Sequence, residues 1–224
     1  MNAAELTGRV RTHVIDVADP PCTVHVDVKA AFLSLRREAQ KDGFDVTAVS
    51  SFRDFGRQLA IWNGKFTGER PLFDAEGRTL DVGTLSPAQR VSAILEWSAL
   101  PGASRHHWGT DLDLIDRSAI PAGYSVQLTP QEFSSDGPFG RLSSWLGANA
   151  GRFGFFRPYQ GVLSGVRAEP WHFSFAPTAE PARSALSAAV LREAVAAADL
   201  AGKDQVLPRL EELHARYVAA VDLP

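Results

Sequence analysis

The chain has 224 residues, of which 45% are hydrophobic and 22% charged, and its formal net charge is -3. This length suits one well-cored domain, or a catalytic domain with a helical addition. A nucleic-acid binder is not expected, because such proteins carry a basic excess that neutralises phosphates. No stretch approaches the roughly 20 apolar residues of a membrane span, and the single cysteine, Cys22, excludes an internal disulfide.

The first third of the chain alternates short strands with helices. Valines alternate with polar residues over 23–29, which predicts a half-buried strand. An apolar side over 29–41 predicts a helix, which Gly43 ends. A second strand is predicted over 44–49, and a helix follows over 54–62.

The middle of the chain contains a surface segment and further short elements. Residues 63–83 are rich in glycine, charge and turn residues, which indicates an excursion over the surface. Ser86 has the features of an N-cap, with proline next and glutamine three residues later, so a helix is predicted from there to about Leu100. A strand is expected to emerge from a loop within 104–114, and a helix is predicted over 139–149.

The last part of the chain is mainly helical. A final strand is predicted over 166–173, and helices are predicted over 185–200 and 208–221. Short strands mixed with separate helices favour an α+β fold. We expect a catalytic domain over 1–179 and a C-terminal helical appendage over 180–224 that packs on it.

Candidate metal ligands come first from the segment around residue 106. A catalytic zinc takes three protein ligands and leaves one position open. His106 and Asp113 are seven residues apart, which in an extended chain is on the order of 20 Å. Both reach one metal only if the chain turns between them, and Gly109 permits such a turn. His107 is interpreted as a neighbour of the site or an exposed residue, not as a ligand.

A second segment supplies another histidine and a carboxylate. Glu169 and His172 are three apart and would point to opposite faces of a regular strand, but Pro170 interrupts the ladder and permits a twist. In such a site a neutral imidazole binds zinc, while an unligated glutamate takes a proton from the attacking water. Each motif alone is weak, since Glu-x-x-His occurs often by chance.

Three motifs together resemble the zinc D-alanyl-D-alanine carboxypeptidase family (VanY-like), within the hedgehog-like superfamily of D-Ala-D-Ala peptidases. That family carries Ser-x-His-x-x-Gly-x-Ala-x-Asp, a later Glu-Pro-Trp-His, and an upstream Ser-x-x-Arg followed five residues later by Gln. The matching residues here are Ser50, Arg53 and Gln58, then Ser104, His106, Gly109 and Asp113, then Glu169 to His172. The likeness covers roughly residues 46–173. One departure is Asp111, which stands where the family usually has a small apolar residue.

The resemblance implies a fold and a set of roles. The fold would be a small, mostly antiparallel sheet flanked by helices. The metal ligands would be His106, Asp113 and His172, with Zn²⁺ as the cofactor. Glu169 would be the catalytic base, and Arg53 would bind the free carboxylate of the substrate, which its planar fork suits. The residues that would help to hold the peptide are Ser50, Gln58, Ser104 and Trp171.

The function that follows is hydrolysis of the peptide bond before a C-terminal D-amino acid in a peptidoglycan-type peptide. Alternatives with the same chemistry are an L,D-carboxypeptidase, a D,D-dipeptidase and an endopeptidase of the lysin kind. A catalytically inactive zinc-binding module is less favoured, because Glu169 and all the ligands are present. No secretory signal is visible at the N-terminus, which slightly favours the cytoplasm over the periplasm or the exterior. Oligomeric state is left open.

Overall fold

The computed structural model describes residues 1–224 as a four-stranded antiparallel sheet, two small hairpins and nine α-helices. The strands are β1 (Val14–Val17), β2 (Cys22–His25), β3 (Val46–Ser50), β4 (Leu72–Phe73), β5 (Thr79–Leu80), β6 (Asp111–Asp116), β7 (Phe155–Phe156) and β8 (His172–Phe175). The helices are α1 (Ala3–Leu6), α2 (Val28–Lys41), α3 (Phe55–Thr67), α4 (Pro87–Trp97), α5 (Gly140–Asn149), α6 (Ala176–Ala185), α7 (Ala188–Ala196), α8 (Lys203–Val206) and α9 (Leu210–His214). The α+β class with a small antiparallel sheet flanked by helices is confirmed.

The central sheet places three site residues in one row. Its strand order is β3-β6-β8-β7, and every neighbouring pair is antiparallel. Asp113 is opposite Ser50 on one side and opposite His172 on the other. A register shift between Ala48 and Ser50 produces the first of these pairings. Since directly opposed residues lie about 4.5–5.5 Å apart, the sheet brings together segments that are distant in sequence.

Two apolar clusters hold the elements in place. The sheet core lies between β3, β6, β8 and the helices α2 and α5, with Phe32 and Phe173 among its buried members. The helical core joins α1, α3 and α4 to the C-terminal helices, and it contains Trp62 and Trp108. Buried residues of this second cluster from beyond position 180 are Ala182, Leu186, Leu191, Val195, Leu200, Val206, Leu210, Leu213, Tyr217, Val218 and Val221. The division into domains at residue 179 stays a prediction.

Two strand predictions extended too far. The strand expected over 23–29 ends at His25, and α2 begins at Val28. The strand expected over 166–173 begins only at His172, because Glu169 to His172 form a turn in which the Glu169 carbonyl accepts from the His172 amide at 3.0 Å. Proline within this segment has no N–H to donate to a ladder.

The segment over 63–83 is more structured than a surface excursion. Helix α3 continues into it as far as Thr67, and Gly68 in a left-handed conformation ends the helix. The hairpin β4–β5 follows, and its Leu72 is fully buried in the helical core. The predicted helix over 185–200 is likewise divided, since Ser187 caps a new helix, α7, by accepting from the Val190 amide. None of the helices combines the length and apolarity that crossing a membrane would need.

Candidate metal centre and active site

His106, Asp113 and His172 form a buried cluster, which we call the metal centre. Each offers one ligand atom, and the three atoms lie within 4.8 Å of one another. His106 Nε2 is 3.4 Å from Asp113 Oδ2, and His172 Nδ1 is 3.3 Å from Asp113 Oδ1. All three side chains are nearly inaccessible to solvent.

The donor set fits a zinc ion. Two nitrogens and one carboxylate oxygen are a ligand set that zinc accepts, at bond lengths of about 2.0–2.2 Å. Each of the two histidine nitrogens lies beside one oxygen of the Asp113 carboxylate, and the three ligand atoms are close enough together to hold one ion. Asp113 Oδ1 is also buried without a hydrogen-bond partner, and a cation would satisfy it.

The turn that the sequence required between His106 and Asp113 is present. Residues 105–108 form one 3₁₀ turn, and Gly109 then adopts φ +66 before β6 begins. A Cβ at this glycine would lie 2.6 Å from Val14 Cγ1 and 2.7 Å from the His25 amide. The position therefore needs glycine for two reasons, the left-handed backbone and the close packing.

Asp111 fixes the orientation of both histidine rings. His106 Nδ1 lies 3.1 Å from the Asp111 carbonyl, and His172 Nε2 lies 2.9 Å from the Asp111 carboxylate. Each of these ring nitrogens donates its proton to an oxygen acceptor. His106 Nε2 and His172 Nδ1 then face Asp113 and are the two nitrogens that would bind a metal.

Glu169 lies beside the metal centre without belonging to it. Its Oε2 is 3.1 Å from His172 Nδ1, and its amide donates to the Tyr159 carbonyl at 3.0 Å. The turn between Glu169 and His172 puts both side chains on the same side of the chain, which a regular strand would not do. A carboxylate at this position is available to accept a proton from a water next to the metal.

The carboxylates around the centre control its titration. Burial would lower the pKa of His172, but the adjacent carboxylates of Asp111, Asp113 and Glu169 outweigh it and raise that pKa well above its ordinary value. For Asp113, burial opposes ionisation, while the two neighbouring imidazoles lower its pKa below the usual range. The centre is therefore poised to hold a positive charge.

Arg53 is held rigidly beside the centre. Its Nη1 donates to Gln58 Oε1 at 2.8 Å, and its Nη2 donates to Ser50 Oγ at 2.9 Å. Its backbone amide donates to the His106 carbonyl at 3.1 Å. The guanidinium has no carboxylate partner, and the upstream motif that sequence analysis selected is brought together in space.

His107 supports Arg53 from behind. It is fully buried, and its Nδ1 lies 2.6 Å from the Arg53 carbonyl while its Nε2 lies 3.1 Å from the Gly102 amide. Burial lowers its pKa to about 4, so the ring is neutral and donates to one backbone group while accepting from the other. The prediction that His107 is a neighbour of the site fits these contacts.

One cavity of about 680 Å³ connects these groups. The predicted site residues that line it are Arg53, Ser104, His106, Asp113, Glu169, Trp171 and His172. Trp171 also packs against the ring of Phe133, at 5.4 Å between centroids. Ser50 and Gln58 do not line the cavity, because they stand behind Arg53 and bind its guanidinium.

Several cavity residues carried no sequence signal. Tyr159 lies with its ring 5.0 Å from that of His172, and burial raises its pKa to about 12. Lys65 and Arg70 line the same cavity from the end of α3 and the segment after it. Neither falls in a motif, and only the fold places them at the site.

The fold and this site together define a class of protein. A His–Asp–His metal centre, a free glutamate and an unpaired arginine in one cavity are the parts of a metallopeptidase that acts at a carboxyl terminus. The family model of VanY, D-alanyl-D-alanine carboxypeptidase, matches residues 22–178. The chain belongs to this family.

Individual proteins resemble this chain in sequence or in fold. An uncharacterised protein of Haemophilus influenzae is 37% identical over 121 residues, which cover 53% of this chain and 92% of that protein. A structure of VanYB in complex with D-Alanine-D-Alanine superposes with a TM-score of 0.54 at 22% identity, covering 75% of this chain and 79% of that one. A vancomycin resistance D,D-pentapeptidase VanY mutant in complex with Zn(II) gives 0.52 at 20% identity, with 86% and 88% covered. The two structures share the fold.

Proposed function

We propose that this chain is a zinc-dependent D,D-carboxypeptidase that hydrolyses the bond before a C-terminal D-alanine in peptidoglycan-type peptides. The observation that carries the proposal is the single cavity shared by the metal centre, Glu169 and the unpaired guanidinium of Arg53. Membership of a D-alanyl-D-alanine carboxypeptidase family supports it. The Zn(II) and D-Alanine-D-Alanine complexes of the two structural neighbours supply the metal and the substrate class.

The residues divide the chemistry between them. His106, Asp113 and His172 hold the metal. When bound there, zinc lowers the pKa of a water and polarises the scissile carbonyl. The Glu169 carboxylate accepts a proton as the water oxygen bonds to the carbonyl carbon, and it returns that proton to the leaving amine when the C–N bond breaks.

Arg53 would select substrates that end at the scissile residue. Its guanidinium is held by two neutral acceptors, so its positive charge is free for the terminal carboxylate of the peptide. A planar fork of this kind binds a carboxylate through two parallel hydrogen bonds. Substrates whose terminal carboxylate is amidated would lose this contact.

The test is release of free D-alanine from a synthetic pentapeptide ending in D-Ala-D-Ala, with wild-type protein and Glu169→Gln. The variant should lose about a hundredfold to ten-thousandfold in kcat, the usual contribution of a general base. Glu193→Gln, a change at an exposed glutamate, serves as the matched control and should retain wild-type turnover. Near-wild-type turnover by Glu169→Gln would show that the base is another group.

The same assay separates the alternatives. Pentapeptide, tetrapeptide and free D-Ala-D-Ala are offered in parallel, and products are identified by mass spectrometry. Preference for the tetrapeptide would replace the proposal with an L,D-carboxypeptidase, and preference for the dipeptide with a D,D-dipeptidase. Cleavage inside the stem would indicate an endopeptidase. No hydrolysis by zinc-loaded protein would leave an inactive binding module.

A further inference from the structure

The cavity contains two cations that the chemistry above does not use. Lys65 and Arg70, which we call the cationic wall, both line it, and neither forms an ion pair or a side-chain hydrogen bond. Besides Asp113 and Glu169, the cavity is lined by one further carboxylate, that of Glu76, and it is already paired with Arg78 at 3.0 Å. The wall therefore has no protein counterion in contact.

The cationic wall is built by the backbone as well as by the side chains. Ile61 and Lys65 are four residues apart on α3 and both line the cavity, so one face of the helix points into it. The Arg70 amide donates to the Gly64 carbonyl at 2.8 Å. A Cβ at Gly64 would lie 3.1 Å from Arg70 Cδ, so the absence of a side chain there lets the arginine stem lie across the helix beside Lys65.

Burial and neighbouring cations weaken the proton binding of the Lys65 ammonium group. Burial lowers the pKa of Lys65 to about 8, Glu169 opposes that shift, and Arg53 and Arg70 add to it. Glu169 itself contacts His172, not Lys65. A bound anion would relieve the repulsion between the cations and offset the burial of the ammonium group.

Helix α3 sets the distance between Lys65 and the place where Arg53 would bind the terminal carboxylate. Gln58 binds Arg53 and so marks the place of the terminal carboxylate. Lys65 is seven residues further along the helix, which at 1.5 Å per residue is about 10 Å. An extended peptide rises about 3.3 Å per residue, so the third residue from the C-terminus lies about 7 Å from the last one, and its side chain covers the remaining distance.

We propose that Lys65 and Arg70 form a second anion subsite, which binds a carboxylate on the side chain of the third residue from the substrate's C-terminus. The inference rests on the proposed function and narrows its substrate class to peptides with an acidic group at that place. In a stem peptide this group is the extra carboxylate of a meso-diaminopimelate residue, which an L-lysine in the same position lacks.

The experiment uses two peptides that end in D-Ala-D-Ala and differ only at the third residue from the end, meso-diaminopimelate or L-lysine. Wild-type protein should favour the diaminopimelate peptide by about tenfold in kcat/KM, mainly through KM, as expected for one partly buried charged contact. Lys65→Met should remove this preference, because it lowers kcat/KM for the diaminopimelate peptide more than for the lysine peptide. Lys65→Arg should keep most of the preference, and Lys29→Met, at an exposed lysine of α2, should behave as wild type.

Two results would overturn the subsite. One is equal use of both peptides by the wild type, and the other is an equal fall in kcat for both peptides in Lys65→Met, which would mean that Lys65 acts on Glu169. Calorimetry with zinc-loaded Glu169→Gln measures the affinity of each peptide without turnover, and so tests the subsite independently of hydrolysis. If neither peptide is hydrolysed by the wild type but the diaminopimelate peptide binds tighter in a Lys65-dependent way, the proposed function fails and the subsite stands.

A second inference comes from the buried charges behind the metal centre. Asp111 is fully buried, and its carboxylate accepts from Arg105 Nε at 2.9 Å, from Ser174 Oγ at 3.1 Å and from Thr110 Oγ1. Arg105 is itself buried and also donates to Ser174 Oγ at 2.6 Å. The arginine offsets the charge of the aspartate, and the Asp111 carboxylate also accepts from His172 Nε2 at 2.9 Å.

The geometry points to Asp111 as a positioning residue for the metal ligand His172. Its carboxylate holds the proton of Nε2, so that Nδ1 is the ring nitrogen that would bind a metal. A small apolar residue at this place, as the related family usually has, would leave the ring nitrogen without this acceptor. The role is to orient the ligand and not to touch the substrate.

Zinc affinity of the metal-free protein, measured by competition with a chromophoric chelator, tests this role without reference to activity. The pair of changes Arg105→Met and Asp111→Ala removes both buried charges together, so that neither is left uncompensated. This double variant should bind zinc about tenfold to a hundredfold more weakly, and its cobalt-substituted form should show an altered visible spectrum. Asp111→Asn, which keeps an acceptor for the ring N–H, should stay within about threefold of wild type.

The role would be disproved by a folded double variant with wild-type zinc affinity and an unchanged cobalt spectrum. Folding is checked by thermal unfolding. If the double variant does not fold, Asp111→Asn decides alone: a loss beyond tenfold would show that the charge, and not the hydrogen bond to His172, is what matters.

Discussion

The metal centre and the cationic wall face the same cavity but are held in opposite ways. In the metal centre each histidine has one nitrogen hydrogen-bonded to Asp111 and the other beside the Asp113 carboxylate. In the cationic wall the side chains of Lys65 and Arg70 have no hydrogen-bonded partner. The difference shows that a catalytic metal centre needs ligands whose orientation is fixed before the metal binds. A subsite for a flexible peptide can instead leave the protein's cationic side chains unpaired until the substrate binds.

The largest effect should come from the metal centre itself. Asp113→Asn removes the charge between the two imidazoles and weakens the ligand set, so D-alanine release should fall to the uncatalysed background. Asp136→Asn, at an exposed aspartate, is the matched control. Metal content by atomic absorption should fall in parallel with activity. Full activity without retained metal would contradict the assignment of this centre.

A smaller loss is expected at the carboxylate anchor. Arg53→Lys keeps a positive charge but loses the planar fork and the bonds to Gln58 and Ser50, so kcat/KM should fall by about tenfold to a hundredfold. The contact is made before and during the reaction, so most of the loss should be in KM. An amidated substrate should show no difference between this variant and the wild type. An equal loss on both substrates would assign Arg53 a role outside carboxylate binding.

Metal binding should release a proton. The raised pKa of His172 means that the metal-free protein keeps this imidazole protonated below that pKa, while a metal ligand must be neutral. Zinc affinity should therefore rise as the pH increases towards the raised pKa of His172. Calorimetry in two buffers of different ionisation enthalpy should detect about one proton released per zinc. Heats that do not depend on the buffer would contradict the account.

The smallest expected effect is a pH dependence of the peptide preference that the cationic wall produces. With the pKa of Lys65 at about 8, the ammonium is charged below that pH and neutral above it. Preference for the diaminopimelate peptide over the lysine peptide should therefore be full near pH 7 and decline as pH rises through 8. Lys65→Arg should move this decline to higher pH. A preference constant from pH 7 to 10 in the wild type would exclude Lys65 from the contact.

Sequence could predict the residues whose roles are encoded in local spacing. The three motifs singled out Arg53, the three residues of the metal centre and Glu169, and the structure brings all five to one cavity. The glycine turn after His106 was also foreseeable, because seven extended residues would place the two ligands too far apart.

Other features depend on contacts between distant segments. The row that places Ser50, Asp113 and His172 side by side follows from strand register, including an irregularity in β3 that no local pattern announces. Tyr159 and Lys65 reach the cavity only through the packing of their segments. The strand predicted over 166–173 begins only at His172, because Pro170 cannot donate to a ladder, and the resulting turn is what aligns Glu169 with His172.

The most direct test is the zinc dependence of D-alanine release from a D-Ala-D-Ala pentapeptide. Protein stripped with a chelator should be inactive, and about one equivalent of zinc per chain should restore full turnover, as expected for a single three-ligand centre. Turnover that survives removal of the metal, or zinc-loaded protein that releases no D-alanine, would contradict the account.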